Sequence, residues 1–183
     1  KAPPAIRFSA AHFATELALA EDRDTAVTLI QKKLNQLKPG RSDAYRFEIL
    51  VFHILSLLLV PPLSEPRFQV TTSDRRGRKD ITFSNVATDG FWGLLRERHK
   101  NVITCFEVKN KVSLDNDDVN QLSSRLSPLT GQAGFIVLRE VTPDDRDRSR
   151  HLLPKGELIM PLCDQDLIEA CTAYEWRADA SRP

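Results

Sequence analysis

Hydrophobic residues recur at helical spacing along residues 9–38, and this pattern ends at the Pro-Gly pair at 39–40. The spacing predicts one or two helices that stop at that pair, because Pro and Gly seldom continue a helix. The next segment, AYRFEILVFHILSLLLV at 44–60, is apolar on nearly every side and is followed by two prolines. We therefore expect a second helix that other elements enclose, as is typical of helices in a protein core.

Runs rich in β-branched and aromatic residues follow. RFQVTT (67–72) and DITFSN (80–85) flank the polar segment SDRRGRK (73–79), which predicts a long hairpin with Gly77 at its tip. NVITCFEVKN (101–110) predicts a third strand. It begins apolar on both faces, so we expect it to lie in the middle of a sheet.

The second half of the chain alternates helical and strand patterns. SLDNDDVNQLSSRLSP (113–128) predicts an amphipathic helix whose apolar stripe consists of Val119, Leu122, Leu126 and Leu129. The remaining segments are DGFWGLLRERHK (89–100, a short helix or ordered insertion), AGFIVLRE (133–140, a strand), 143–153 (a charged helix), ELIMPL (157–162, a strand) and DQDLIEACTAYEWRADA (164–180, a helix). This order predicts an α/β fold in which helices flank both faces of a central mixed sheet.

Composition limits the domain organisation and the partners. A chain of 183 residues with 41% hydrophobic content can close one sizeable core, so we expect a single domain with a helical extension at 1–40 and a core at 41–177. Because 26 Lys and Arg oppose 25 Asp and Glu, any basic site must be local. The chain begins at Lys1 rather than Met, and we expect a piece cut from a longer protein.

Cysteines and apolar stretches indicate the compartment. The three cysteines form no CxxC pair, which favours free thiols in the reducing cytoplasm over disulfides or zinc. The only long apolar stretch, 49–60, is shorter than a bilayer span. We expect a cytoplasmic protein with no membrane partner.

The end of the third strand carries two charges where a strand entering a core should avoid them. Alternation puts Cys105, Glu107 and Lys109 on one face. One interpretation is that the strand emerges into water there, because burying such charges costs several kcal/mol unless they are paired or bind something. The other interpretation brings in Asp80, which opens the preceding strand. If the two strands are neighbours, the carboxylates of Asp80 and Glu107 can converge on one hard cation such as Mg²⁺.

The order of these elements resembles a known family. The residues that carry the resemblance are RKD at 78–80, EVK at 107–109 and DDVNQL at 117–122 in the following helix. Over about residues 42–162 this arrangement resembles the PD-(D/E)xK nuclease superfamily, which has the restriction-endonuclease-like fold. Lys79 stands where the motif's name has proline, a position that varies within the superfamily.

The resemblance implies a site and a cofactor. Asp80 and Glu107 would be metal ligands, the main-chain carbonyl of Val108 would be a third ligand, and Lys109 would orient and activate the attacking water. The cofactor would be Mg²⁺ or Mn²⁺. A metal neutralises the phosphodiester and acidifies water, and an ammonium helps to hold the nucleophile, so the chemistry agrees with these roles.

Two further residues have open alternatives. Glu48 lies near the start of the apolar helix, where the helix dipole or Arg41 could account for it; the resemblance instead implies a metal ligand. Gln121 is either an ordinary exposed residue of its helix or, as in several branches of the superfamily, a contact to the site or to phosphate.

The loop before Asp80 concentrates basic residues. Arg75, Arg76, Arg78 and Lys79 lie there, and they either contact backbone phosphates or form a solvated hairpin tip. We favour phosphate contact and expect these residues and Gln121 to bind nucleic acid.

The leading hypothesis is a metal-dependent endonuclease that hydrolyses phosphodiester bonds in DNA, with Asp80, Glu107 and Lys109 as catalytic residues. The alternative is a nucleic-acid-binding or assembly module that keeps the fold without cutting, and a different kind of metal enzyme ranks third. A fused or associated sensor or specificity module is expected as a partner, and a homodimer is a further alternative. Such modules are common where this fold serves in restriction or antiphage defence.

Overall fold

The structure is a computed structural model that describes residues 15–17, 20, 22–71, 78–150 and 152–174. The helices are α1 (Arg23–Gln36), α2 (Ala44–Leu59), α3 (Gly90–His99), α4 (Asn116–Ser123), α5 (Pro143–Arg150) and α6 (Asp164–Ala173), with short 3₁₀ turns at Arg41–Asp43 and Leu153–Lys155. The strands are β1 (Leu63–Thr71), β2 (Arg78–Asn85), β3 (Ile103–Val108), β4 (Ala133–Val137) and β5 (Leu158–Leu162).

The five strands form one mixed sheet in the order β1-β2-β3-β4-β5. β1, β2 and β3 pair antiparallel, and β3, β4 and β5 pair parallel through crossovers that contain α4 and α5. β3 is the central strand, as its apolar start on both faces predicted. The predicted α/β class with a mixed sheet is confirmed.

Each face of the sheet is covered by a separate apolar cluster. On one face, α2 residues such as Phe47 and Leu50 pack with Phe83, Phe106 and Phe135 of the strands, and the rings of Phe106 and Phe135 stack at 4.7 Å. On the other face, the residues in contact are Cys105, Leu114, Val119, Leu122, Ile136, Leu138, Leu152 and Ile159. α2 therefore lies on one side of the sheet and α4 on the other.

The amphipathic helix α4 is shorter than predicted. It ends at Ser123, and the backbones of Ser127 and Gly131 pair with each other, so the chain reverses direction between them. Val119 and Leu122 are buried as predicted, but Leu129 lies in the reversal and is 89% exposed. Its place in the apolar stripe was wrong, because the stripe assumed a helix that continued to Pro128.

The first strand begins earlier than its β-rich run indicated. β1 starts at Leu63, and the register shifts between Ser64 and Arg67 around Pro66. An edge strand tolerates such an interruption, because its outer side has no partner strand to bond. No helix in the described part of the chain is both long enough and apolar enough to cross a membrane.

A candidate active site at the end of the central strand

A cleft of about 670 Å³ opens where β2 begins and β3 ends, between α2 and α4. Its lining consists of Gly40, Arg41, Ala44, Glu48, Arg78, Asp80, Glu107, Val108, Lys109, Asn110, Lys111, Gln121 and Arg125. The lining comes from two helices, two strands and the loops beside them. The cleft thus contains each of the residues for which the sequence predicted a catalytic or metal-binding role.

Asp80 and Glu107 lie on neighbouring strands at the point where those strands separate. The last backbone pair between β2 and β3 joins Ile81 and Phe106, and the same register continued by one residue places Asp80 opposite Glu107. Opposed residues of an antiparallel pair point to the same face. The strands separate there because Oδ2 of Asp80 accepts the hydrogen bond of the Val108 N–H at 2.9 Å, in place of a backbone carbonyl.

Both carboxylates are buried, with 6% of Asp80 and 2% of Glu107 exposed. The interpretation that β3 simply emerges into water at Glu107 is therefore wrong. Burial of a charge requires compensation, and for Glu107 it comes from Lys109, whose Nζ lies 2.8 Å from Oε1, and from Arg125, which pairs with Oε2.

The ammonium of Lys109 is held in place by its neighbours. Its Nζ donates to Oε1 of Gln121 at 2.7 Å and lies 4.0 Å from the carboxylate of Asp118. The backbone N–H of Lys109 bonds to the carbonyl of Val137 in β4. Gln121 thus lies in the site, where it orients Lys109; this is one of the two alternatives that the sequence left open for it.

Glu48 faces the cleft from α2. Only 14% of its side chain is exposed, and its Oε2 accepts a hydrogen bond from Gln69 at 3.0 Å. Its Oε2 lies 3.9 Å from the guanidinium of Arg78, so the cation beside Glu48 is Arg78 rather than Arg41. Burial raises the pKa of Glu48 and the negative charge of Asp80 raises it further, while the Gln69 hydrogen bond opposes the rise. Glu48 and Asp80 are therefore close enough for each to oppose the other's charge.

The raised pKa of Glu48 predicts a pH-dependent effect of Glu48→Gln on stability. Folded Glu48 keeps its proton to a higher pH than it does in the unfolded chain, so its contribution to stability is present at low pH and is lost as pH rises through the raised pKa. Glu48→Gln keeps an acceptor for Gln69 and removes that loss. In EDTA, we expect the variant to melt above the wild type at about pH 8 and level with it at about pH 4.

Thermal denaturation at the two pH values measures this effect. Glu97→Gln on α3 is the matched control, because Glu97 is exposed and outside the cleft. An equal melting temperature of Glu48→Gln and wild type at both pH values would contradict the prediction.

The two described basic residues before Asp80, Arg78 and Lys79, have different surroundings. Arg78 lines the cleft and is half exposed. Lys79 does not line it and lies beside Cys105 instead. Burial raises the pKa of the Cys105 thiol, and the charge of Lys79 and its hydrogen bond oppose that rise. The contact of Arg78 and Lys79 with phosphate stays a prediction, because lining the cleft is not required for it. Arg75 and Arg76 lie outside the described residues.

Sequence reasoning missed Arg125 and Lys111. Arg125 follows α4 and pairs with Glu107; Lys111 follows β3 and pairs with Asp115 and Asp118. Gln121 and Arg125 are four residues apart, and residues at this spacing lie on one side of a helix. This spacing could have indicated that Arg125 lies on the same side as Gln121, toward the site.

Asn110 fastens the loop that follows β3. Its Nδ2 donates to the carbonyls of Lys38 and Gly40, each at 2.8 Å, and its Oδ1 accepts from Arg139 at 3.1 Å. Arg139 also bonds to the carbonyls of Leu34 and Leu37 at the end of α1. Because these contacts join α1 to the loop after Lys109, they restrict where the backbone of the site can lie.

The chemistry of the donor set fits a hard divalent cation. Asp80 and Glu107 offer carboxylate oxygens. The N–H and the carbonyl of one strand residue point toward the same neighbouring strand. Because the N–H of Val108 donates to Asp80, the Val108 carbonyl also faces Asp80. Among the described residues, no three His, Cys, Asp or Glu side chains form a group that could hold a metal ion. The Val108 carbonyl, waters or phosphate oxygens would complete the shell, which is the usual way for Mg²⁺.

Comparison with known proteins shows one partial similarity. No family model and no solved structure matches the sequence. The chain is 26% identical over 118 residues to the "Putative transposon gamma-delta 80.3 kDa protein" of Escherichia coli (strain K12). The aligned part is 64% of this chain and 17% of that protein. The chain is thus similar to a small part of a transposon protein, and this similarity leaves its family open.

Proposed function

We propose that this chain is a Mg²⁺- or Mn²⁺-dependent endonuclease domain of the PD-(D/E)xK type that hydrolyses phosphodiester bonds in DNA. The observation that carries the proposal is the meeting of Asp80, Glu107 and Lys109 in one cleft, where β2 begins and β3 ends. The resemblance noted in the sequence requires this arrangement.

Asp80, Glu107 and the main-chain carbonyl of Val108 would hold the cation, with Glu48 beside them. A bound divalent cation would supply positive charge that neutralises a phosphodiester and makes water more acidic. Glu48, whose side chain is largely buried and whose pKa burial raises, adds negative charge near Asp80 that a cation would relieve. The hydrogen bond from Val108 N–H fixes the direction of the Asp80 carboxylate.

Lys109 would position the attacking water. An ammonium has three N–H donors, and Glu107 and Gln121 engage two of them. The third donor is then directed by these two contacts and can hold a water or a phosphate oxygen. A positioned charge in a partly buried cleft stabilises developing negative charge more strongly than one in water.

DNA is the substrate that the surroundings favour. Arg78 and Arg41 line the cleft, where they could contact backbone phosphates. The similar E. coli protein is described as a transposon protein, and a transposon is a DNA element. A partner module that selects the DNA remains a prediction, and so do dimerisation and a role in defence.

A plasmid nicking assay tests the proposal. We expect the wild-type chain to convert supercoiled plasmid to open-circle or linear DNA in Mg²⁺ or Mn²⁺ and to leave it intact in EDTA. Glu107→Gln, purified in parallel, is the control for a contaminating nuclease and should not cut. Intact plasmid in both metals, or equal cutting by Glu107→Gln, would remove the proposal.

The alternative is a module that binds nucleic acid without cutting. It is favoured by one observation, namely that Lys109 and Arg125 already neutralise both oxygens of Glu107. This alternative predicts that plasmid stays intact while a gel shift detects the same DNA affinity in EDTA and in Mg²⁺.

A further inference from the structure

Arg125 is a cation of the cleft that the resemblance does not account for and that pairs with a predicted metal ligand. It lies just beyond α4, its side chain is 11% exposed, and its guanidinium pairs with Oε2 of Glu107, which is 2% exposed. It also lines the same cleft as Asp80. An arginine this deeply placed has a specific partner, because a buried unpaired charge is costly.

The guanidinium pairs with one carboxylate of the predicted metal site, Glu107, and lines the same cleft as the other, Asp80. Burial lowers the pKa of Arg125, and the charge of Asp80 opposes part of that lowering. The direct ion pair is with Glu107. Arg125 therefore supplies, from within the chain, positive charge to the two side chains that a divalent cation would use.

Two cations in one small acidic site repel each other. Charges a few ångströms apart and shielded from water interact strongly, because the effective dielectric constant is far below that of water. Oε1 of Glu107 is taken by Lys109 and Oε2 by Arg125. A divalent cation that binds Glu107 must therefore displace one of these partners or bind against their charge.

We propose that Arg125 is the resident counter-ion of the Asp80 and Glu107 carboxylates and limits divalent-metal affinity, so that a cation binds this pair only when the guanidinium leaves Glu107. This inference rests on the proposed function, since it concerns how the same site takes up its metal. Lys109 is the less suitable group to leave, because Gln121 and Glu107 both hold its ammonium.

Metal-binding measurements on variants test the inference without any assay of cutting. We compare Mn²⁺ affinity by calorimetry for the wild type, Arg125→Gln and Arg78→Gln. Arg78→Gln is the matched control, because it removes one positive charge from the same cleft without touching Glu107. We expect Arg125→Gln to bind Mn²⁺ at least about tenfold more tightly than the wild type, a difference of about 1.4 kcal/mol, and Arg78→Gln to change less. Affinity of Arg125→Gln no higher than that of the wild type, or gained equally by Arg78→Gln, overturns the inference.

Melting temperatures separate this role from a purely structural one. In EDTA, Arg125→Gln should melt below the wild type, because buried Glu107 then has only Lys109 as partner. Saturating Mn²⁺ should raise the melting temperature of the variant more than that of the wild type, since a ligand stabilises the state it binds. A lower melting temperature in EDTA with no larger rise in Mn²⁺ would mean that Arg125 acts only in stability, which also overturns the inference.

A measurement on the wild-type protein tests the inference even if Arg125→Gln fails to fold. The ¹⁵Nε–H signals of the arginine side chains are followed by NMR while Mg²⁺ is added. The Arg125 signal, identified by its loss in Arg125→Lys, should shift. The signal of Arg139, which is paired with Asp164 outside the cleft, should not. An Arg125 signal unchanged at saturating Mg²⁺ overturns the inference.

The outcomes distinguish this inference from the proposed function. If the wild type and Arg125→Gln bind Mn²⁺ with equal affinity, only the role of Arg125 is wrong, and the metal site stands. If neither protein binds Mn²⁺ at millimolar concentration, the metal-dependent function is wrong and this inference with it.

Discussion

Lys109→Ala is expected to lower the rate of plasmid nicking by about 10²–10³-fold, the usual cost of removing a single charged group that acts on the reacting atoms. The physical reason is the position of its ammonium, which Glu107 and Gln121 hold in the cleft. DNA binding should fall much less, because the rest of the basic lining remains. Single-turnover nicking and a gel shift on the same preparation measure both effects.

Lys111→Ala is the matched control for this result. Lys111 lines the same cleft two residues further on, but it pairs with Asp115 and Asp118 rather than with Glu107. Its loss should slow cutting far less than the loss of Lys109. Equal rates for Lys109→Ala and the wild type would mean that the observed cutting belongs to another site or to a contaminant.

Asp80→Asn is expected to reduce cutting by more than about 10²-fold while leaving DNA affinity equal or higher. The variant loses the charge needed to hold a cation, and the loss of a negative charge beside the phosphate relieves repulsion. Its amide oxygen can still accept the hydrogen bond from Val108, so the fold should be retained. Nicking and gel shift on one preparation again provide the comparison.

Asp80→Ala separates the charge from the hydrogen bond. It leaves the Val108 N–H without its acceptor in a buried place, which should cost about 1–3 kcal/mol of the free energy of unfolding. Sequence reasoning alone would expect Asp80→Ala to be harmless to folding, because strand ends bury little apolar surface. Should Asp80→Asn cut as fast as the wild type, Asp80 would not be a metal ligand.

Local patterns in the sequence determined the elements and the central part of the site. The apolar segment before the double proline, the alternation along β3 and the capping carboxylates before α4 each act over a few residues, so a helix or strand can be inferred from them directly. The pairing of Asp80 with Glu107 follows almost as directly. The apolar residues of β3 lie on both of its faces, and few registers between β2 and β3 would bury them all.

Only the tertiary structure decided which charged groups surround that pair. Glu48 turns into the cleft because Gln69 of β1 bonds to it, and Arg125 reaches Glu107 because α4 ends at Ser123 and the chain then turns back toward β4. Lys79 falls outside the cleft although it adjoins Asp80 in sequence. The direction of a long charged side chain depends on partners from other elements, and the energy of each such pair depends on how far both groups are buried. A local sequence pattern predicts neither the direction of such a side chain nor the energy of its ion pair. Both are set only when the sheet and its two helices are assembled.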